Sequence, residues 1–476
     1  MKKHIILFIF IFLFTAIHFY KVLSHVTPFF DWDEGIYAQV GREMIRENSF
    51  LIPLWQGRVW LDKPPLPPLL YGLAEYLPVA PEVSMRMISV VMSAIVLVLF
   101  YTLSFRVSGS AIVAITSTII TSFLPPFVQR TQVLNVDVFL LIGWFGYVLF
   151  YKQRFVGVVF LLIGTLSKSL LGFFPVAMVG IYELWMVIHN KKNKSKHTHR
   201  YTLHTIAIQM GLSLIWFIWM YAQFKSEFIQ YHFLDSHLKR VTTSIEQHFG
   251  QRTFYIDIIV TQFKWFLVPV VVSTMLGLYD FLIKKKYEAF FALLFIPWFL
   301  FLNLTKTKIA WYIYPVLPQF AFLTVYWLRA IPVDWMRAGI AGVILFLFFQ
   351  FNTPINAYLT TDYSKWEDYQ LVAQDAKTVG CVHLDVLVNP TTRESYATLK
   401  SMDLVIRTTT WWGDHPSIAY YADMPTEYAY TTEELITRFT DRPQNSCFML
   451  MTNDDVDVSS FRVLSKKGSY ELRVKD

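Results

Sequence analysis

The sequence predicts a polytopic α-helical membrane protein with about eleven transmembrane helices and a small C-terminal α/β domain outside the membrane. Apolar residues make up 54% of the 476 residues and charged residues 16%, whereas soluble domains contain about 45–50% and about 25%. Apolar runs of about 17–25 residues, long enough to span a bilayer core, recur from His4 to Asn352 and then stop. We therefore predict a membrane domain at 1–352 and a soluble domain at 353–476.

The apolar runs define the predicted spans. They are 4–23, 84–104, 110–128, 133–151, 155–167, 170–189, 202–222, 256–281, 288–304, 311–328 and 336–352. The fifth run is short, so either it is tilted or 155–189 is one broken hairpin. The first run could instead be a cleaved signal peptide, but it is long and no A-x-A-like site follows it.

Basic residues predict the orientation, because cytoplasmic loops carry an excess of Lys and Arg. They cluster at residues 2–3, 152–154, 191–200 and 284–286, and each cluster falls on an even crossing. The N-terminus is then cytoplasmic, and the outer segments are the loops 24–83 and 223–255 and the tail from Thr353. We expect a protein of the cytoplasmic (inner) membrane with its active site on the extracytoplasmic side.

The outer segments have recognisable local patterns. Residues 34–47 predict an amphipathic helix that can lie in the interface plane, with its apolar side formed by Ile36, Val40, Met44 and Ile45. A proline-rich stretch without strands is expected to follow. In the tail, β-rich runs at 381–388, 403–408, 447–451 and 469–474 alternate with helical patterns such as 432–439. Cys381 and Cys447 both lie in the tail, where an oxidising compartment permits a disulfide; the sequence leaves that bond open.

The net charge of +7 does not indicate nucleic-acid binding. Such binding needs a basic face or a basic run with interleaved aromatic residues, and these basic residues lie in separate short loops. We expect membrane lipids as partners and no nucleic acid.

The first outer loop contains the strongest candidate site, Asp31-Trp32-Asp33-Glu34-Gly35-Ile36-Tyr37-Ala38, followed by Arg42-Glu43-Met44. Adjacent carboxylates raise one another's pKa, which suits one of them to take a proton from a hydroxyl. The alternative is helix capping, since Asp31 or Asp33 could accept bonds from free backbone N–H groups and Glu34 would complement the dipole. The residues alone support both roles.

Lysines at several positions form the second part of the predicted site. Lys63 in Asp62-Lys63-Pro64-Pro65 is held by two rigid prolines, and Asp137 and Lys168 lie inside apolar runs, where ionisable groups are costly and often functional. Lys308 precedes the tenth span. With Arg240, these cations fit an anionic group such as phosphate, and the absence of a phosphate-cradling glycine loop favours a lipid phosphate over a soluble nucleotide.

Two further signals in the second outer loop are weaker. His237 and His248 are separated without the spacing of a zinc site, so no metal site is assigned. A divalent cation held by the carboxylates near Asp33 stays open as a cofactor.

In order, the motifs Asp-Glu-x-x-Tyr-Ala, Arg-Glu-Met, acidic-Lys-Pro-Pro, Ser-Lys and Lys-x-x-x-Tyr-x-x-Pro resemble the GT-C glycosyltransferases related to lipid A aminoarabinose transferase and protein O-mannosyltransferase. In the tail, 416–421 and 432–435 look like the family's C-terminal domain. Two positions depart from the family: Ser169, where glycine is usual, and Gly35-Ile36, where the aminoarabinose enzymes carry an arginine. The second departure bears on which donor is used.

The resemblance implies site residues by position. Asp33 would be the general base with Glu34 and Tyr37 beside it, and Asp137 would position a substrate. The donor phosphate would be bound by Lys63, Lys168, Lys308 and Tyr312. Arg42, Asp62, His237 and Arg240 complete the candidate substrate-binding set.

The expected function is transfer of one sugar, with inversion, from a polyprenyl-phosphate donor to an acceptor on lipid A, a glycan or a protein. A polymerase or ligase of lipid-linked glycans would differ only in donor length. A secondary transporter is the alternative from another class, but transporters place their sites near the midplane between inverted repeats, and no such repeat is visible in this sequence.

Overall fold

A computed structural model describes residues 2–189, 193–351, 365–454 and 456–474. The chain divides into two compact units. The first, here called the helical unit, comprises Met1–Leu23, Arg86–Lys225 and Gly250–Thr361. The second, the loop-and-tail unit, comprises Ser24–Met85, Ser226–Phe249 and Asp362–Asp476. The predicted domain boundary at 352/353 lies outside the described residues and stays a prediction.

Helices account for most of the chain up to residue 351. They are Lys2–Ser24, Asp33–Arg46, Leu66–Ala74, Pro81–Ser108, Ala111–Phe123, Pro125–Thr131, Asp137–Phe150, Arg154–Lys168, Phe174–His189, Asn193–Ser213, Ile215–Phe228, Arg240–Thr242, Phe254–Phe263, Leu267–Leu282, Ile296–Leu304, Leu317–Tyr326 and Asp334–Phe351. Short 3-10 segments at Ser169–Phe173, Lys264–Phe266, Tyr287–Leu293, Ala310–Val316 and Trp327–Ala330, and a π-helix at Ile229–Lys239, connect several of them.

Six of the described helical segments are long and apolar enough to cross a membrane, or up to eight if each of two bent pairs counts as one span. The bent pairs are Ala111–Phe123 with Pro125–Thr131, at 72°, and Tyr287–Leu293 with Ile296–Leu304, at 43°. The chain is therefore a multi-pass membrane protein, and the count of about eleven stays a prediction. Residues 194–200, predicted as a loop, are instead part of the helix Asn193–Ser213.

The region 154–189 folds back on itself. The helix Arg154–Lys168 ends where Ser169 adopts φ 54°, and a Cβ added to Gly172 would lie 2.3 Å from the backbone nitrogen of Thr165. In a continuous helix two residues seven positions apart are about 10 Å apart along the axis, so the chain has reversed. The reversal is compatible with two consecutive antiparallel spans and with one broken hairpin, so both readings of 155–189 stay predictions.

The loop-and-tail unit contains a mixed five-stranded sheet. A two-stranded ribbon first pairs β1 (Leu54–Trp55) with β2 (Arg58–Val59). The five-stranded sheet consists of β3 (Leu384–Leu387), β4 (Thr426–Ala429), β5 (Cys447–Met451), β6 (Arg462–Lys467) and β7 (Tyr470–Val474) in the order β4-β3-β5-β7-β6. Strand β3 runs parallel to β4 and β5, and β7 runs antiparallel to β5 and β6.

Helices Asp368–Thr378, Pro390–Ser401, Thr409–Trp412, Ser417–Ala422 and Thr432–Thr440 accompany this sheet. Its buried core includes Leu387, Leu435, Phe439, Phe448 and Leu450. A disulfide joins Cys381 to Cys447, the first residue of β5.

Two expectations for local structure are wrong. Residues 403–408 form no strand, because their backbone groups bond elsewhere: the Leu404 carbonyl accepts from the Glu246 N–H and the Val405 carbonyl from the Lys239 ammonium. The stretch after the Asp33–Arg46 helix is not free of strands either, since it contains β1 and β2.

The Asp33–Arg46 helix forms as predicted, but its apolar side is buried within protein. Ile36 is 5% exposed, and Val40 and Met44 are fully buried. From the sequence we expected that this side could lie in a membrane interface. Instead, the helix packs against the neighbouring helices Leu66–Ala74 and Ser417–Ala422.

Candidate active site

Asp33 is the first residue of its helix. The residue before it, Trp32, occupies the N-cap position with φ 66° and makes no side-chain cap bond. Glu34 is 1% exposed, and its carboxylate accepts a 2.8 Å bond from the Phe30 N–H. The carboxylate of Asp33 is half-buried in the first turn, where the helix dipole favours negative charge.

Asp31 does not cap the helix. Its carboxylate accepts bonds from the hydroxyls of Tyr369 and Ser417, from the Ser417 N–H at 3.2 Å and from Nδ1 of His415 at 2.8 Å. All of these donors belong to the tail. His415 was not among the predicted site residues, since a lone histidine in a polar stretch carries no local signal.

Asp62 is buried, with 5% of its surface exposed, and three neutral donors surround its carboxylate. They are the Thr408 hydroxyl at 2.6 Å, the Trp60 indole N–H at 3.1 Å and the Ser236 hydroxyl at 3.4 Å. Burial raises the pKa of Asp62, a shift that the charges of Lys63 and Arg240 oppose. Asp62 thus ties the first loop to the second loop and to the tail.

Lys63 and the second loop lie near this carboxylate. Lys63 is half-buried and is followed by the buried Pro64 and Pro65. Arg240 pairs with Glu246 at 3.2 Å, and both act electrostatically on Asp62. The predicted residues Asp62, Lys63 and Arg240 therefore come together in one unit.

Three histidines of the second loop lie near these residues. Burial lowers the pKa of His232 to about 4, so its neutral ring donates from Nδ1 to the Leu61 carbonyl at 2.7 Å. The His237 ring lies edge-on to it, with centroids 5.8 Å apart. Burial also lowers the pKa of His248, while Asp33 and Glu246 oppose that shift. Asp33 therefore acts electrostatically on His248. Arg240 and Glu246 act on both His248 and Asp62, so His248 links the surroundings of Asp33 to those of Asp62.

Arg42 and Tyr37 both have structural partners. The Arg42 guanidinium contacts Glu75 at 2.8 Å, donates to the Tyr420 carbonyl at 2.7 Å and lies 3.5 Å from the centroid of the Tyr420 ring. Tyr37 is 4% exposed and packs against Trp60. These contacts are those of residues that hold the Asp33–Arg46 helix in place; a role in substrate binding stays a prediction for both.

In the helical unit, Asp137, Lys168 and Tyr312 lie close together, and their predicted roles in donor and substrate binding stay predictions. Lys168 donates to the Asp137 carboxylate in a buried ion pair, and its ammonium lies 4.9 Å from the centroid of the Tyr312 ring. Asn135 caps the helix that Asp137 begins by accepting bonds from the N–H groups of Asp137 and Val138, at 3.0 and 3.1 Å.

Lys308 in the same unit binds backbone. Its ammonium donates to the carbonyls of Leu302 and Asn303 at 3.2 and 3.1 Å, at the C-terminal end of the helix Ile296–Leu304. It also lies 5.1 Å from the centroid of the Tyr255 ring. These bonds stabilise a helix terminus, where cations are favoured.

The sequence analysis missed a further cation in this unit. Arg130 is 4% exposed, and its guanidinium lies 4.6 Å from the centroid of the Trp311 ring. The available signal was an arginine between the pair Pro125-Pro126 and the Asn135-Val136-Asp137 motif, within an otherwise apolar stretch.

Among the described residues, no group of three or more His, Cys, Asp or Glu side chains is arranged to hold a metal ion. That part of the chain therefore supplies no ready set of ligands for a divalent cation.

Comparison with known proteins identifies the architecture. Residues 62–219 match the family model for dolichyl-phosphate-mannose-protein mannosyltransferase. The structure is similar to that of ArnT from Cupriavidus metallidurans bound to undecaprenyl phosphate, with a TM-score of 0.64, 14% identity, and coverage of 98% of this chain and 97% of that chain.

Two further relatives are more distant or shorter matches. An oligosaccharyltransferase of Archaeoglobus fulgidus, in complex with Zn and sulfate, has a TM-score of 0.52 at 12% identity over 81% of this chain and 56% of that chain. An uncharacterized protein of Aquifex aeolicus (strain VF5) is 24% identical over 347 residues, which are 68% of this chain and 66% of the relative, just under two thirds of its length.

These matches show a polytopic membrane protein with the fold of ArnT. The chain is related to ArnT in fold and, over residues 62–219, to the protein mannosyltransferases in sequence.

Proposed function

We propose that this protein is a glycosyltransferase that moves one sugar from a polyprenyl-phosphate-linked donor to an acceptor hydroxyl or phosphate, with inversion. The acceptor would be lipid A, another glycan or a protein. The observation that carries the proposal is a group of charged residues in one unit, in a chain whose fold is that of ArnT. Asp62 lies in the field of Lys63 and Arg240, Arg240 pairs with Glu246 at 3.2 Å, and Asp33 and Glu246 both act electrostatically on His248.

Asp33 would act as the general base. A half-buried carboxylate in the first turn of a helix can accept a proton from an incoming hydroxyl, and a positioned base contributes about 10²–10⁴ in rate. Glu34, which is engaged with the backbone of the turn, would hold that turn and so support the base.

The leaving group would be a lipid phosphate. Because the second pKa of a phosphate monoester is about 6, it departs as an anion and needs cations more than a proton donor. Lys63 and Arg240 are the cations near Asp33 and would stabilise the departing phosphate. A role in phosphate binding for Lys168, Lys308 and Tyr312 stays a prediction. The undecaprenyl phosphate bound to ArnT in that structure supports a carrier of this class.

We further propose that transfer takes place on the extracytoplasmic side of the cytoplasmic membrane. The Cys381–Cys447 disulfide supports this side, because disulfides persist in oxidising compartments and are rare in the cytosol. The basic loops predict the same orientation.

Asp33→Asn tests the assignment directly. We expect transfer from a radiolabelled polyprenyl-phosphate sugar, measured in proteoliposomes with an envelope-lipid acceptor fraction, to fall by about 10²–10⁴-fold, while the thermal unfolding temperature stays that of wild type. Asp441→Asn is the matched control, because Asp441 is an exposed aspartate after the helix Thr432–Thr440. Undiminished transfer by Asp33→Asn would exclude Asp33 as the base, and solute uptake without any glycosyl product would favour a transporter.

A further inference from the structure

We propose that His415 is a positioning residue for Asp33, acting through Asp31 and assisted by Tyr369. The inference rests on the proposed function, because it takes Asp33 as the base. It adds a role for the tail that no family likeness assigns, since the tail would set the geometry of a residue in the first loop.

The tail holds Asp31 by both carboxylate oxygens. Oδ2 accepts from the Tyr369 hydroxyl and from Nδ1 of His415 at 2.8 Å, and Oδ1 accepts from the hydroxyl and the N–H of Ser417. Asp31 is only 14% exposed, so these bonds replace nearly all of its hydration. A carboxylate held by several donors cannot rotate without breaking them.

The backbone before Asp31 is held by the same part of the tail. The Tyr421 hydroxyl accepts a 2.7 Å bond from the Phe29 N–H, and the side-chain amide of Gln370 donates to the Phe29 carbonyl at 3.0 Å. The tail therefore holds the chain at residue 29 and again at residue 31.

Only Trp32 separates Asp31 from Asp33, so the constraint on Asp31 reaches Asp33 through the backbone of Trp32. Trp32 has φ 66° and ψ −110°, a conformation that a non-glycine residue keeps only when its surroundings impose it. Three residues later, a Cβ on Gly35 would lie 2.9 Å from the Ser417 backbone, so the first turn of the helix rests on the same tail segment. The tail thus constrains the backbone before Asp33, at Asp31, and after it, at Gly35, and so sets the direction of Asp33.

His415 is the titratable member of this network. Burial lowers its pKa, but the hydrogen bond to Asp31 and the negative charges of Asp414, Asp31 and Glu367 raise the pKa above its usual value. Tyr369 stacks on the ring with centroids 3.8 Å apart, and the Tyr470 hydroxyl lies 3.2 Å from Nε2. Protonated His415 makes a charge-assisted bond to Asp31, which is stronger than the bond from the neutral ring.

The sign of the pH effect follows from this bond. At pH values below the pKa of His415 in the folded protein, the bond from His415 to Asp31 is charge-assisted. As pH rises through that pKa, His415 loses its charge and the bond weakens. We therefore expect the transfer rate of wild type to have an alkaline decline that reports His415.

The test compares His415→Gln with His383→Gln. His383 is a matched control in the same tail, because it also lies near an aspartate, with Nδ1 3.5 Å from Asp385, but it does not contact Asp31. We expect His415→Gln to lower kcat at least about 10-fold, to leave the KM for the donor within about 2-fold, and to lose the alkaline decline. Tyr369→Phe should lower kcat less, since it removes a bond from a neutral hydroxyl and leaves the charge-assisted bond from His415 in place.

Hydrogen exchange supplies a readout that does not depend on activity. In full-length protein, amides of residues 29–36 should exchange at least about 10-fold faster in His415→Gln than in wild type or His383→Gln. Unchanged exchange in that segment overturns the inference whatever the kinetics show. A wild-type kcat and pH profile in His415→Gln also overturns it, whereas unchanged transfer by Asp33→Asn overturns the proposed function instead.

Discussion

Two buried aspartates, one in each unit, are accommodated in different ways. In the helical unit, Asp137 is neutralised by the single cation of Lys168. In the loop-and-tail unit, Asp62 is held by three neutral donors from the first loop, the second loop and the tail, and burial raises its pKa. Asp137 is thus held by a charge, whereas Asp62 is held by hydrogen bonds that join separate segments.

Asp137→Asn should produce the largest loss of stability, because it leaves the Lys168 ammonium buried without its counter-charge. Breaking a buried pair by removing one partner costs about 3–5 kcal/mol. Thermal unfolding in detergent, followed by loss of the monodisperse elution peak, measures the effect.

The double variant Asp137→Asn with Lys168→Met is the control for that prediction. Removing both charges should recover most of the lost stability. If Asp137→Asn alone is as stable as wild type, the charge of Asp137 does not stabilise the helical unit, and the contrast between Asp137 and Asp62 is wrong. Loss of transfer in the stable double variant would support the proposed contact of Lys168 with the donor.

Removing the disulfide should have the next largest effect, now in the loop-and-tail unit. Cys381 and Cys447 are 66 positions apart, and a cross-link that closes a long loop stabilises a fold by typically 2–4 kcal/mol. The double variant Cys381→Ser, Cys447→Ser should therefore be cleaved faster by protease within residues 365–474. Equal cleavage rates would mean that the sheet holds without the cross-link.

Gly35→Ala tests the contact between the first loop and the tail. The added methyl would lie 2.9 Å from the Ser417 backbone, and overpacking of this kind costs about 1–3 kcal/mol. Gly180→Ala is the matched control, since a Cβ at this helical glycine meets no atom within 4 Å and should stabilise the helix slightly. The changes in the free energy of unfolding relative to wild type should therefore have opposite signs in the two variants.

Asp62→Asn should have the smallest effect, below about 1 kcal/mol at neutral pH, because the amide oxygen can accept the bonds from Trp60 and Thr408 and the amide NH2 can donate to the Ser236 hydroxyl. A raised pKa means that wild type is most stable below the ordinary aspartate pKa of about 4 and loses that contribution as pH rises through the folded pKa. The stability of Asp62→Asn relative to wild type should therefore improve from pH 5 to pH 8 in urea titrations. A change in the opposite direction would contradict the burial of the carboxylate.

Local patterns predicted much of the secondary structure. The helix Thr432–Thr440 and the strand β5 formed where periodicity and β-rich composition placed them. The prediction of a strand at 403–408 failed because the backbone partners of these residues lie in the second loop. The β-propensity of a segment depends on what it packs against. The π-helix Ile229–Lys239 likewise has no pattern that distinguishes it from an α-helix.

The candidate site was predictable only in part, for a related reason. Charges inside apolar runs identified Asp137 and Lys168 as a functional candidate, and the structure joins them. The partners of Asp31 and Asp62 could not be found this way, because His415 and Thr408 are 384 and 346 positions away and their meeting depends on tertiary folding.

The discontinuous loop-and-tail unit has a consequence for synthesis. The Phe29 amide and the Tyr421 hydroxyl that accepts its bond are 392 positions apart, so at about 5–20 residues per second roughly 20–80 s pass before the ribosome makes the second partner. During that interval the apolar side of the Asp33–Arg46 helix has no tail to cover it. The nascent chain would need a chaperone or transient lipid contact then, and a chain that stalls before residue 421 would be a substrate for quality-control proteases.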